Sequence, residues 1–153
     1  PKLRISTLES MVTLLGMTNR DSSDSNRYSV VGISHAPSIG IANALSRWMI
    51  VTVQRDGKHL RQEYVNGVPT MSVEMVGPTT DHGTSISFLP DFDIFAADYQ
   101  YEVIDERFRE LAYLNPTVRF TFRDERSGRI QEHVFSFPEQ ASAIVRRCLA
   151  DVQ

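Results

Sequence analysis

Two short turns constrain this chain more than any other feature. Asp56-Gly57 and Asn66-Gly67 each stand between segments in which apolar and polar residues alternate. Pairs of this kind supply the positive φ angles of a two-residue hairpin, and the turn then sets strand register. Met49, Val51 and Val53 alternate with Ile50, Thr52 and Gln54, and Leu60, Gln62 and Tyr64 alternate with Arg61, Glu63 and Val65. Met71, Val73 and Met75 alternate with Ser72 and Glu74, and a loop over 77–83 leads to a further strand over Thr84–Leu89. The expected product is a four-stranded meander with one apolar face that another layer must cover.

Helical spacing flanks this region. Leu8, Met11, Val12 and Leu15 form one stripe, with Ser6 or Thr7 as cap and Glu9 or Ser10 in the first turn. A polar loop over Asn19–Asn26 and a short apolar run over Tyr28–Ile33 precede a second expected helix, Pro37–Trp48, with Ile41, Ala44, Leu45 and Trp48 on one face. Phe108, Leu111, Ala112 and Leu114 mark a third helix, ended by Asn115-Pro116 because proline cannot continue it. Val118, Phe120 and Phe122, then Ile130, Glu132 and Val134, read as two strands around a turn over Asp124–Gly128. Pro138 opens a last helix with Ala141, Ile144, Val145, Cys148 and Leu149 as its stripe. Helices outside a largely antiparallel sheet make a two-layer α+β domain.

Composition narrows the function. A net charge of −3 argues against non-specific binding to nucleic acid or an anionic membrane. No apolar run approaches the ~20 residues that span a bilayer. The single cysteine, Cys148, expected buried, excludes an intramolecular disulfide and fits a cytoplasmic setting. His35, His59, His82 and His133 lack metal-ligand spacing, so neither a zinc site nor another cofactor is expected.

Several segments carry a resemblance. Tyr28–Ser46 reads YSVVGISHAPSIGIANALS, Gly83–Phe95 reads GTSISFLPDFDIF, and Arg107–Asn115 reads RFRELAYLN. They are similar to YKVSGGLHGVGxSVVNALS, GTxVxFxPDxxIF and RLRELAFLN of the N-terminal ATPase domain of the gyrase B and topoisomerase IV B proteins. Pro1-Lys2 with Ile5–Glu9, the hairpin over Val53–Gln62 and the turn Asp124-Glu125-Arg126 also fit. The resemblance implies an α+β, two-layer α/β sandwich of GHKL (Bergerat) type. It implies that the family's N-terminal helix, with its glutamate base and magnesium-holding asparagine, and the first glycine motif lie upstream of Pro1. The expectation is therefore one truncated domain over 1–153, a stand-alone product with a degenerate lid loop over 17–40.

The lid departs from the family pattern. Gly32 is kept, but Ile33, Ala36 and Ser38 stand at glycine positions, and Pro37 has no N–H to offer a phosphate. Ser29 replaces the lid lysine. The resemblance implies that Tyr28, His35, Ser38, Gly83 and Thr84 line the former nucleotide cleft. Tyr28 and His35 are the catalytic candidates, His35 because imidazole suits proton transfer near neutrality. Asn43 reads as structural, and Asp91, Asp93 and Asp98 read as a surface turn.

The expected protein is a gyrase-B-like scaffold that has lost ATP hydrolysis and binds a non-nucleotide small molecule. As an enzyme it would be a cofactor-free cyclase or isomerase of secondary metabolism. Uncovered apolar sheet surface would favour a homodimer. The alternative is a non-catalytic gyrase mimic that binds a topoisomerase or a gyrase-directed antibiotic, giving regulation or resistance.

Overall fold

The computed structural model describes residues 6–13, 39–95, 99–128 and 130–137. The last expected helix and Cys148 lie outside these residues. The chain divides into two compact units, the first holding residues 6–13 and 39–95 and the second residues 99–128 and 130–137. Each combines helix with antiparallel strands, the α+β character expected.

In the first unit, both turns form as the sequence requires. Asp56 and Gly57 have φ of 52° and 75°, and Asn66 and Gly67 have 49° and 80°. Positive φ at both central residues matches the right-handed twist of the flanking strands. The first turn joins β1 (Ser46–Arg55) to β2 (Lys58–Val65) in continuous register, from Arg55 opposite Lys58 to Trp48 opposite Val65.

The meander does not form. β5 (Gly83–Pro90) returns to the other side of β1, with Val51 opposite Ile86 and Met49 opposite Phe88. Of the third expected strand, Met71–Met75, only the end is strand: β4 (Glu74–Pro78) pairs with the start of β2, while β3 (Val68–Pro69), just before it, pairs with the end of β2. Proline explains both corrections. A meander would place this segment between two strands, where Pro69 and Pro78 could not donate to a ladder. On the margin of β2 the missing donors matter less. The β-branched β1 takes the centre, with ladder partners on both sides. Where β3 ends, the buried Gln62 side chain donates to Met71 O at 3.1 Å, holding the departing chain in place of a backbone partner.

Strand alternation puts Met49, Val51 and Val53 on one face with Leu60, Gln62 and Tyr64 of β2 and Thr84, Ile86 and Phe88 of β5. Two helices lie over it. α1 (Thr7–Thr13) is capped as the sequence suggests, Ser6 Oγ accepting from the Glu9 N–H at 3.0 Å. Its Val12, 2% exposed, joins Met49, Val51 and Tyr64 in the core, with Leu8, Ile39 and Val53 around them.

α2 (Ile39–Ala44) is shorter than the expected Pro37–Trp48, and its inward face differs. Ser46 and Trp48 already belong to β1, where pairing on both sides outweighs the helical spacing of Ile41, Ala44, Leu45 and Trp48. Gly40 and Asn43 are buried, whereas Ile41 and Ala44 are exposed. Asn43 fixes that rotation. Its Nδ2 donates to Val12 O at 3.3 Å and Gly67 O at 3.4 Å, tying both helices to the second hairpin. Its Oδ1 is buried without a hydrogen-bond partner.

In the second unit, α3 (Tyr101–Leu114) packs against the hairpin of β6 (Phe120–Asp124) and β7 (Gln131–Phe135). Phe108 stands 5.9 Å from Phe120 and 5.8 Å from Phe122, ring centre to ring centre. α3 stops where expected, Asn115 donating through both backbone and side chain to Leu111 O before Pro116. His133 Nδ1 lies 2.7 Å from Asp105 Oδ1, and Arg109 lies 3.2 Å from Oδ2. Burial raises the Asp105 carboxyl, but bonds to His133 and Arg109 outweigh this and hold it below the ordinary carboxylate range.

At Gly67 an added Cβ would meet Ala44 Cα at 3.0 Å, whereas at Gly57 it would meet nothing within 4 Å. Gly57→Ala should cost about 1 kcal/mol of backbone strain and Gly67→Ala roughly twice that or more, read as a midpoint shift in urea. Asp105 has its carboxyl depressed in the folded state, so its contribution is in place above the ordinary carboxylate range and fades as pH falls. Asp105→Asn should therefore flatten the acid limb of a stability-versus-pH curve; an unchanged limb would show that the pair contributes nothing.

Candidate functional site

The helices leave part of the sheet uncovered. Between α1, the start of α2 and the adjoining strands β1 and β5 lies a cleft of about 460 Å³. That is within the usual size range of small-molecule pockets, roughly 300–1,000 Å³. Its floor is Val51 and Val53 of β1 with Thr84 and Ile86 of β5, set side by side by the ladder pairs Val51–Ile86 and Val53–Thr84. Leu8, Met11 and Val12 of α1 and Ile39 of α2 wall it, and Gln54, Arg55, His82 and Gly83 lie at one end.

The floor is apolar because β1 alternates there, sending Val51 and Val53 to the helix side while Ile50 and Thr52 go to the other. Gly83 opens β5 with φ of +151°, a backbone angle that disfavours any side chain. It lets the chain swing from the loop into the ladder directly at the cleft. The loop is anchored behind: Gln54 Nε2 donates to Thr79 Oγ1 at 3.4 Å, the Asp81 N–H donates to the same oxygen at 3.0 Å, and the Thr79 N–H donates to Gly57 O.

Next to the cleft, a buried polar chain stiffens the floor. Tyr64 OH donates to Gln62 Oε1 at 2.8 Å, and Gln62 Nε2 lies 3.3 Å from Glu9 Oε2 on α1. Burial pushes the Tyr64 phenol up to about 12, and the Glu9 carboxylate adds to the shift. The phenol is thus a donor throughout the physiological range and no proton acceptor.

Of the site residues read from the sequence, the structure places Gly83 and Thr84 together in this cleft. Tyr28, His35 and Ser38 lie outside the described residues. Asn43 is structural, as expected. Asp91 and Asp93 form the expected surface turn: Arg47 pairs with both at 3.0 Å, and the Asp93 N–H donates to Asp91 Oδ1. Asp98 lies outside the described residues. No group of His, Cys, Asp and Glu suited to a metal occurs among the described residues.

Sequence reasoning missed Val51, Val53 and Ile86 as floor residues and Arg55 and His82 as end residues. Parity was the available signal. Once Gly83 and Thr84 are placed on β5, strand alternation carries Thr84 and Ile86, and opposite them Val53 and Val51, to one face.

Sequence comparison agrees with this geometry. Across 116 residues the chain is 46% identical to the DNA gyrase B protein of Chitinophaga japonensis, covering 75% of this chain and 24% of that one. It is 38% identical over 145 residues to the DNA gyrase B protein of Borrelia hermsii, covering 92% and 22%. The chain is homologous to the N-terminal ATPase domain of DNA gyrase B. Among solved structures, the 43K ATPase domain of Thermus thermophilus gyrase B, in complex with an aminocoumarin, superposes with a TM-score of 0.60 at 36% identity, over 64% of this chain and 27% of that one. The α+β fold is therefore the GHKL fold of gyrase B. The chain spans only about a quarter of the length of these relatives. No protein-family model matches it. No helix among the described residues is long and apolar enough to cross a membrane.

The polar chain gives a direct check. Tyr64→Phe deprives the buried Gln62 oxygen of its donor and should cost about 1–3 kcal/mol in chemical denaturation. Spectrophotometric titration of the folded protein should show one tyrosine ionising near pH 12 that the variant lacks.

Proposed function

We propose that this gyrase-B-like scaffold binds a small organic molecule by an apolar body laid over Val51, Val53 and Ile86, and not a nucleotide by its triphosphate. The carrying observation is the cleft's lining: seven of its twelve residues are Leu, Met, Val or Ile. Burial of apolar surface favours association at about 25 cal/mol per Å². The lid sequence supports the same reading, because Ile33, Ala36 and Ser38 replace glycines and Pro37 lacks an N–H. In this reading Thr84 contacts the ligand from the floor and Gly83 from the end of the cleft. Tyr28, His35 and Ser38 join the site on the strength of the resemblance. If chemistry follows, it is a cofactor-free cyclisation or isomerisation in which orientation lowers the barrier and Tyr28 or His35 moves the proton.

A second reading has its own observation. The solved gyrase B domain that this chain resembles holds an aminocoumarin. A chain keeping Gly83 and Thr84 in that fold could capture such a drug, or pair with a topoisomerase. Self-association belongs to the same proposal, since Ile86 and Phe88 are each 43% exposed.

Calorimetric titration separates these. The proposal expects no heat with ATP and magnesium, and saturable heat with apolar aromatic compounds. Micromolar ATP binding contradicts it. Tight aminocoumarin binding without binding of simpler apolar compounds favours the second reading.

A further inference from the structure

The two glycine turns share a shape but not a chemistry. The first carries an aspartate before its glycine and the second an asparagine. An asparagine carboxamide is open to attack by the main-chain nitrogen of the residue that follows it. Glycine hinders the attack least, because it has no Cβ. Asn66 alone precedes glycine: Asn19 and Asn26 precede arginine, Asn43 alanine and Asn115 proline. Asn66 is exposed, and among the described residues no backbone acceptor holds the Gly67 N–H. The turn must open for that nitrogen to reach the side-chain carbon, and segments with few ladder bonds open most readily. β2 and β3 meet in two register pairs, Val65–Val68 and Tyr64–Pro69, and Pro69 has no N–H to give. The next tie is the Thr70 N–H, which donates to Glu63 O at 2.9 Å. The first turn instead closes the ladder that runs from Arg55–Lys58 to Trp48–Val65. Its Asp56 is a carboxylate paired with Arg55 at 3.4 Å, a poorer electrophile than a neutral amide.

We infer that Asn66-Gly67 is a self-acting modification site, which ages to isoaspartate and so releases the tie between the helices and this hairpin. The Gly67 nitrogen bonds to Asn66 Cγ and gives up its proton. The Cγ–Nδ2 bond breaks, ammonia leaves, and a cyclic imide remains. Water then opens the imide. Attack at the main-chain carbonyl leaves the chain running through Cβ and Cγ, lengthened by a methylene, with a free carboxylate on Cα. Nothing is oxidised or reduced. The added atom falls where the packing is tight: Gly67 O accepts from Asn43 Nδ2 at 3.4 Å, and a Cβ on Gly67 would meet Ala44 Cα at 3.0 Å. A lengthened turn cannot keep both positions. Asn43 then loses one of the two bonds by which it joins Val12 of α1 to the hairpin.

Incubation of the whole chain for days in mildly alkaline buffer tests this, with isoaspartate located by peptide mapping and by methylation with a protein isoaspartate methyltransferase. Isoaspartate is expected at Asn66 and not at Asp56. The aged fraction, separated by its added negative charge, should unfold at a lower urea midpoint than the fresh chain. Asn66→Gly, which keeps the positive φ available, should abolish the modification and stay folded by circular dichroism. Fresh Asn66→Asp carries the charge without the longer main chain, so its midpoint should stay near the parent's. A fall in that variant as large as in the aged chain would place the effect in the charge and overturn the released tie. Isoaspartate with an unchanged midpoint would overturn it too. No isoaspartate at Asn66, while a free peptide of residues 60–70 forms it, overturns the site itself, because the fold then protects the turn.

Discussion

The described part of the first unit depends on β1 having a partner on each side. Its run from Trp48 to Val53 is the most strongly β-favouring stretch of the chain, and a strand left with one open edge exposes its ladder groups. Pairing with β2 is dictated locally by Asp56-Gly57. Pairing with β5 is not, since it closes a loop of some thirty residues, yet it decides the rest. It places Ile86 and Thr84 beside Val51 and Val53, and so creates the floor of the cleft. It also sends the proline-bearing β3 and β4 to the margin of β2.

Around that strand, a few polar residues orient apolar layers that burial alone would leave free to rotate. Asn43 ties the end of α1 to the Asn66-Gly67 turn and so sets the roll of α2. Gln62 joins α1, Tyr64 and the break between β3 and β4. Buried polar groups of this sort stabilise little on balance, but breaking them leaves costly unpaired atoms, so they favour one arrangement over its neighbours. The same bonds keep α1 over one half of the sheet face, and the uncovered half is the cleft.

Much of this is legible in the sequence. Both glycine turns, the Ser6 cap, the end of α3 at Asn115-Pro116 and the β6–β7 hairpin follow from local chemistry, and they stand where read. The failures have two causes. The spacing of Trp48 from Ala44 and Leu45 is helical, and sequential strands usually neighbour one another, so local rules favour a longer α2 and a meander. At the end of α2 the ladders on both sides of β1 override the local preference, and in the sheet Pro69 and Pro78 keep their segments to the margin. The site is half legible: the resemblance locates Gly83 and Thr84, but Arg55 and His82 enter only once the ladder shows which residues share their face. Homology to gyrase B supplies the fold, and the ligand has to be argued from the cleft.

The proposed ligand would sit on the β1–β5 floor beneath α1. Methyl-resolved NMR of the isotope-labelled chain, titrated with N-phenyl-1-naphthylamine, would see that seat residue by residue. Saturable shifts are expected, with contacts from the probe's rings to the methyl groups of Leu8, Val51, Val53 and Ile86, and with the resonances of α3 unmoved. Shifts centred on α3, or none at the floor residues under saturating probe, would contradict a ligand site on this floor.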